Sequence, residues 1–274
     1  MKEPVKVLFI AQKLTPYLPE NEMAKICREL PQYIQEQGCE IRIFMPAYGV
    51  INERRNQLHE VQRLSGLNMI IDDNDHPLII KVASIPSVRM QVYFIDNEEF
   101  FRRRGTSVDA EGNEYDDNDD RMIFFARSVL ETIKKLRWTP NIIHCHGWMT
   151  SLVPLYLRTA YGDDPFFENA KVVYTAYDNV FHKTFGTQFA QHALTKGVTP
   201  EDVSTIANAP VGCDEVTRLA FRYADVADSG CESMDATLEK LAQAENRTFT
   251  PFEEDFRQKY LRVYADIDKV FRDL

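Results

Sequence analysis

The residues with the most chemical potential in this chain fall in a few short segments. In His144-Cys-His146 two imidazoles share one face if the segment is a strand, because alternate side chains of a strand point the same way. Imidazoles placed like that can ligate a metal. No third ligand is evident nearby, so the preferred reading is a satisfied pair of core histidines and no metal. Asp116, Asp117, Asn118, Asp119 and Asp120 form an acidic run whose oxygens could attract Ca²⁺. The run lacks the glycine and terminal glutamate of an EF-hand loop, which favours a solvated helix cap. Glu20 and Glu22 could serve as general acid and base, but loop carboxylates without a shielding pocket are usually just exposed. Trp148, Tyr177 and Asp178, with His146, offer aromatic faces and hydrogen-bonding groups that suit sugar rings. The plainer alternative is that Trp148 and Tyr177 only fill a cavity.

The elements that must position these residues follow from periodicity. Val5 to Ala11 is a short, nearly continuous apolar run rich in β-branched residues, the pattern of a buried parallel strand. Met23, Ile26, Cys27, Leu30 and Ile34 make a helical stripe, which Gly38 is placed to end, and Ile41 to Met45 is a second strand. Such a βαβ unit favours a parallel sheet. Residues 50 to 76 read as a polar excursion with little regular structure. Leu78 to Ala83 and Met90 to Ile95 read as a strand pair around Ser84 to Ser87, and Asp96 to Arg103 as a short helix. A loop from Gly105 to Asp117 then leads to Asn118, which can cap a helix with the stripe Met122, Phe125, Ala126, Val129 and Ile133. Ile142 to His144 is a strand, Trp148 to Tyr161 a helix and Val172 to Thr175 another strand. From about 198 onward only helical patterns are visible, apart from a short strand near Val226, and the last helix spans Glu253 to Leu274. The alternation of strands and helices gives a doubly wound sheet, whose ligands gather at the carboxyl ends of the strands.

Composition narrows the partners. With 44% hydrophobic and 11% aromatic residues, the 274-residue chain can bury one large core or two small ones, and one α/β domain is the default. A formal net charge of -10 disfavours nucleic acid and anionic membranes, which need a basic face, and leaves a neutral, hydroxyl-rich ligand unaffected. The five cysteines form no CxxC pair and no disulfide framework. The apolar run at Val5 is too short for a signal peptide, and no run reaches the ~18 apolar residues that span a membrane, so the expected location is the cytoplasm.

The segments after the strands carry a resemblance. Pro140-Asn-Ile-Ile-His-Cys-His-Gly-Trp-Met-Thr-Ser-Leu-Val-Pro-Leu-Tyr-Leu157 is similar to the pattern PDVVHAHDWHTALVPLYL of the ADP-glucose-type glycogen and starch synthases. Gln37 to Tyr48, Tyr93 to Asn97, Tyr115 to Arg121 with Phe124-Phe125, Val173 to Asp178 and Phe221 to Asp225 resemble further landmarks of that family, in the same order. The family members are retaining glucosyltransferases of the GT-B architecture. The resemblance implies a Rossmann-like, doubly wound, mostly parallel α/β sheet: a single N-terminal, acceptor-side domain over residues 1–232, with a helical C-terminal extension over 233–274 that packs on it. His146, Trp148, Tyr177, Asp178, Asn118, Arg121 and Tyr48 are the ligand-cleft candidates that it places.

The departures from the family are as informative. Its Lys-Thr-Gly-Gly loop, which closes over the donor's diphosphate and glucose, falls on Pro19, Glu20, Asn21 and Glu22. Glycines there let backbone N–H groups approach an anion, and a lysine adds charge. This chain offers two carboxylates and a proline instead. The family's Asp and His on either side of the tryptophan become Gly147 and Met149, and the histidine beside the transferred sugar becomes Tyr177. The C-terminal domain that carries the family's donor-holding Arg, Lys and Glu is expected to be absent, and no catalytic residue or cofactor is assigned. The expectation is a domain that is non-catalytic alone and binds an α-glucan (a malto-oligosaccharide, for example) or a synthase partner. Its rivals are an active α-1,4-glucan glucosyltransferase that borrows a donor domain from a separate chain, and a purely structural interaction protein. Asp255 to Tyr264 loosely resembles the family's last helix, which suggests a cover over the sheet.

Overall fold

The computed structural model describes residues 3–85, 88, 90–103, 105–208 and 210–272. Strand β1 (Lys6–Ala11) leads through α1 (Glu22–Glu36) to β2 (Glu40–Pro46). A small antiparallel group follows: β3 (His59–Glu60), β4 (Leu67–Ile71), β5 (Asn74–Ile85) and β6 (Met90–Asp96). Then come α2 (Asn118–Leu136), β7 (Ile142–His146), α3 (Leu152–Arg158), β8 (Lys171–Ala176), α4 (Gln188–Ala193), α5 (Cys213–Tyr223) and β9 (Val226–Ser229). The chain continues through α6 (Asp235–Ala244), β10 (Phe249–Thr250), α7 (Phe256–Ile267) and α8 (Lys269–Arg272).

The strands join in the order β10-β9-β8-β7-β1-β2-β6-β5-β3, with β4 paired to β5 off this path. From β10 to β6 every pairing is parallel, and β5 turns antiparallel against β6. The expected mostly parallel, doubly wound α/β sheet is therefore present. Val7 to Ala11 are all buried, as befits a central strand covered on both faces. Alternation along β8 shows which helices cover which face. Tyr174 meets Phe221 of α5, at 5.8 Å between rings, while its neighbour Thr175 points the other way, to Tyr260 of α7. Because β1, β2, β7, β8 and β9 are parallel, Ala11, Pro46, His146, Ala176 and Ser229 all end at one edge.

Several expectations need correction. Residues 50 to 76 hold β3, β4 and the start of β5. The turn between β4 and β5 uses Asp72 and Asp73, both at positive φ (48° and 58°), which matches the right-handed twist of a two-residue hairpin. The stretch Asp96 to Arg103 is not a helix. The Asn97 side chain accepts from the N–H groups of Glu99 and Phe100, and this local bonding replaces the helical ladder. The segment Trp148 to Tyr161 splits into a 3-10 turn at Trp148–Thr150 and the shorter α3, with Pro154 in its first turn, where a missing N–H is tolerated. Asn118 is the first residue of α2 and not its cap; Asp117 holds that position. The C-terminal region holds β10 besides β9, and its last helix is the separate α7 and α8. Pro86, Ser87 and Leu274, which bounded expected elements, lie outside the described residues.

Candidate functional site

The carboxyl edge of β7, β8 and β9 brings together side chains that sequence reasoning singled out and several that it did not. His144 and His146 do share a face, and both are completely buried, with ring centroids 3.8 Å apart. Tyr264 of α7 donates its hydroxyl to His144 Nδ1 at 2.7 Å. His144 Nε2 lies 2.7 Å from Thr175 Oγ1, which donates to Asp228 Oδ2 at 2.6 Å. That order of donors assigns His144 as the neutral Nε2–H tautomer. Tyr260 also donates to Asp228 Oδ2, at 2.7 Å, and Lys259 Nζ lies 2.8 Å from Asp228 Oδ1 and 2.7 Å from the Ser229 carbonyl. Lys259 and Asp228 are 2% and 0% exposed, so this ion pair is wholly inside the protein. Burial holds the pKa of His144 well below its usual value and brings that of His146 down to about 3, with Lys259 adding to both. Burial pushes Asp228 up, and Lys259 pulls it back.

Tyr177 closes this edge. Its hydroxyl lies 2.8 Å from His146 Nδ1, while His146 Nε2 has no hydrogen-bond partner among the described residues. Its ring packs on the backbone of Gly230, where a Cβ would fall 2.1 Å from a ring carbon; only glycine allows that approach. Burial drives the Tyr177 phenol far above its usual pKa, with Cys27, Asp228 and Glu22 adding to the effect. Gly147 has φ 84°, and a Cβ there would lie 2.6 Å from Gln12 Oε1 and 2.8 Å from Met23 Cε. The Gln12 amide oxygen accepts from the Asn179 side chain at 3.0 Å and from Met149 N at 3.3 Å, so the room beside Gly147 is taken. Trp148 is buried edge-on to Phe181, which stacks on Phe185.

The other candidates lie beside α2. Arg121 is buried, donating to Asn118 Oδ1 and to the Thr106 carbonyl, each at 2.7 Å. Its guanidinium lies over Phe101 and Tyr115 at 5.1 Å and over Tyr48 at 5.9 Å, an aromatic box for a cation. Burial lowers its pKa. Arg121 Nε and the Tyr48 hydroxyl are buried without hydrogen-bond partners among the described residues. Asn118 donates to the Ser107 carbonyl at 2.9 Å. Of the cleft candidates, then, His146, Trp148, Tyr177, Asn118, Arg121 and Tyr48 are buried, and Asp178 is exposed.

Pro19, Glu20, Asn21 and Glu22 are all exposed at the start of α1. Asn21 caps that helix, its side chain accepting from Ala24 N at 2.8 Å, and Glu22 sits in the first turn. The helix N-terminus, which could otherwise receive an anion, is satisfied by the chain's own oxygen and carries a carboxylate. The acidic run is dispersed. Asp116 pairs with Lys183, Asp117 takes Arg103 in a bidentate contact, and Asp120 accepts from His192 at 2.7 Å. Burial and the neighbouring Asp120 raise Asp119 to about 6. Among the described residues no group of three or more His, Cys, Asp or Glu is arranged to hold a metal ion. No helix among them is long and apolar enough to cross a membrane.

The profile of the starch synthase catalytic domain matches residues 6–239. This chain belongs to the glycogen/starch synthase family. The glycogen synthase of Chlorobium phaeobacteroides is 41% identical over 227 residues, covering 80% of this chain and 46% of the relative. That of Chlorobaculum tepidum is 36% identical over 230 residues, covering the same 80% and 46%. The chain thus spans less than half the length of these curated relatives. Among solved structures, the catalytic domain of starch synthase IV from Arabidopsis thaliana, bound to ADP and acarbose, superposes with a TM-score of 0.71 at 16% identity. That match covers 91% of this chain and 51% of the Arabidopsis chain, and it shows the shared fold.

Asp228, Lys259, Tyr260, Tyr264, Thr175, Gln12 and Gly230 were missed from sequence. One signal was available. Phe256, Tyr260, Val263 and Tyr264 form an apolar stripe, and Lys259 falls inside it, which calls for a buried counter-charge.

Proposed function

We propose that this member of the glycogen/starch synthase family is not catalytic by itself and acts by association, holding an α-glucan or a synthase partner. The observation that carries the reading is the occupied donor edge: Tyr177 packs on Gly230 where the family has a histidine. The self-capped loop from Pro19 to Glu22 supports it, because it presents carboxylates where a diphosphate would need donors. Retaining transfer depends on electrostatic stabilisation of the leaving diphosphate, and acids at that position oppose it. A neutral glucan meets no such repulsion from a chain of net charge -10. The proposed organisation is an acceptor-side domain over 1–232 with residues 233–274 packed on it, and the proposed location is the cytoplasm. No cofactor is required.

A second reading, a purely structural interaction protein, is favoured by the burial of His146, Trp148, Tyr177, Asn118, Arg121 and Tyr48. Calorimetric titration of the protein with maltoheptaose and, separately, with ADP-glucose distinguishes these readings. Saturable glucan binding without nucleotide-sugar binding is the expected result. ADP-glucose binding, or incorporation of labelled glucose into glycogen, would restore the rival glucosyltransferase. Silence to both would leave the structural role.

A further inference from the structure

A cavity of about 210 Å³ opens between the loop after β1 and the segment that follows β2, with Tyr17, Arg55, Asn56, Gln57 and Ser84 among its lining. Its chemistry sets it apart. Four other surface cavities each carry at least two carboxylates, such as Glu29 and Glu36, Asp72 and Asp73, Asp75 and Glu99, or Asp225 and Asp266. In a chain with 42 acidic residues, this cavity, whose lining also includes Pro16 and Ile85, has none. It offers an aromatic ring, two amides, a guanidinium and two hydroxyls. Planar amide and guanidinium groups can bond a pair of adjacent hydroxyls, and the face of an aromatic ring can pack on the apolar side of a sugar ring.

The presenting loop is held firmly while its tips are left unused. Asn52 Oδ1 accepts from Arg55 N at 2.9 Å, and the Asn56 amide donates to the Asn52 carbonyl at 2.9 Å, which leaves Asn56 Oδ1 as an acceptor. Lys81 bonds Glu53 at 2.5 Å and the buried Asp96 at 2.7 Å, tying the loop to the sheet. The side chains of Arg55 and Gln57 have no partner among the described residues. Gln57 sits at φ 55°, a left-handed conformation that a non-glycine residue enters at a cost and that the surrounding bonds must sustain. Burial pushes Tyr17 up to about 12, so its hydroxyl stays protonated and able both to donate and to accept.

We infer that this cavity is a hexose subsite, in which Arg55, Asn56 and Gln57 bond the hydroxyls of one glucosyl unit of an α-glucan against Tyr17. The subsite rests on the glucan-binding arm of the function proposed above and gives it a place. The bonded loop backbone fixes where these side chains start, so binding costs mainly the rotamer freedom of Arg55 and Gln57.

The test compares the wild-type protein with the double variant Arg55→Ala/Gln57→Ala by calorimetry with maltoheptaose, and separately with inorganic phosphate. Thermal melts establish that both proteins are folded, and Arg127→Ala, at a different cavity, serves as a surface-charge control. The expected result is maltoheptaose binding that weakens about tenfold or more in the double variant, as removal of hydrogen-bonding groups predicts, with the control unchanged. Equal binding by wild type and double variant would overturn the subsite while leaving glucan binding by the domain intact. No maltoheptaose binding by the wild type would remove the glucan reading and the subsite with it. Phosphate binding that requires Arg55, without glucan binding, would make the cavity an anion site and reject the hexose.

Discussion

On the β7–β8–β9 side of the sheet, Asp228, Lys259, Thr175 and His144 are buried and bonded to one another. Beyond β2, Asp72 and Glu99, with side chains 64% and 62% exposed, border an open cavity of about 400 Å³. Both regions are rich in charge, but the first buries its ion pair completely, whereas the second leaves Asp72 and Glu99 in water. A charge taken inside needs a partner in contact, and α7 supplies one; charges left at the surface are solvated and need none. The Lys81–Asp96 pair shows that the second region follows the same rule at its root, where Asp96 is buried. In this chain the carboxyl edge of β7, β8 and β9 is part of the core, while Asp72 and Glu99 on the side of the β3–β6 strands stay in water.

The sharpest way to break this contrast is Lys259→Met. It leaves the Asp228 carboxylate buried without its counter-charge, and a loss of about 3–5 kcal/mol in urea unfolding is expected. Adding Asp228→Asn should recover part of that loss, because no bare charge then remains. Tyr177→Phe removes the hydroxyl that faces His146 Nδ1, and should cost about 1–2 kcal/mol by the same measurement. His146→Gln tests the electrostatics. The folded pKa of His146 is depressed to about 3, so below the unfolded value near 6.5 the unfolded chain takes up a proton that the native protein refuses. The wild type therefore loses stability relative to the variant as pH falls from about 6 to 4, by roughly 1.4 kcal/mol per pH unit. Asp72→Asn, which weakens the exposed contact with His192, should change stability by less than about 0.5 kcal/mol. A loss as large as that of Lys259→Met would erase the distinction between the two regions.

The strands of the sealed region were legible because burial on both faces writes a continuous apolar run, as in Val7 to Ala11 and Val172-Val173. The β4–β5 hairpin was not read as structure because only alternate residues of β4 are buried, Met69 and Ile71, and the polar Asp72-Asp73-Asn74 turn hides the pairing. Asp96 to Arg103 reads as a short helix from sequence, whereas the bonds that the Asn97 side chain accepts from Glu99 N and Phe100 N set the backbone. The two residues of β10 are too few to carry a pattern. His146, Trp148 and Tyr177, which the resemblance singles out, lie at the ends of β7 and β8. The resemblance could not indicate that Lys259 reaches Asp228, since that contact joins α7 to β9 and no local spacing encodes it.

The dependence of Asp228 on Lys259 has a consequence for biosynthesis. Asp228 and Thr175 leave the ribosome well before Lys259 and Tyr260 do, so the nascent sheet must keep that face hydrated until α7 is made. Docking of α7 then expels the water, supplies the cation and settles the histidine tautomer in one event. That face of the sheet therefore matures only once α7 is made, and hydrogen exchange on stalled nascent chains should show the amides of β9 unprotected until α7 emerges.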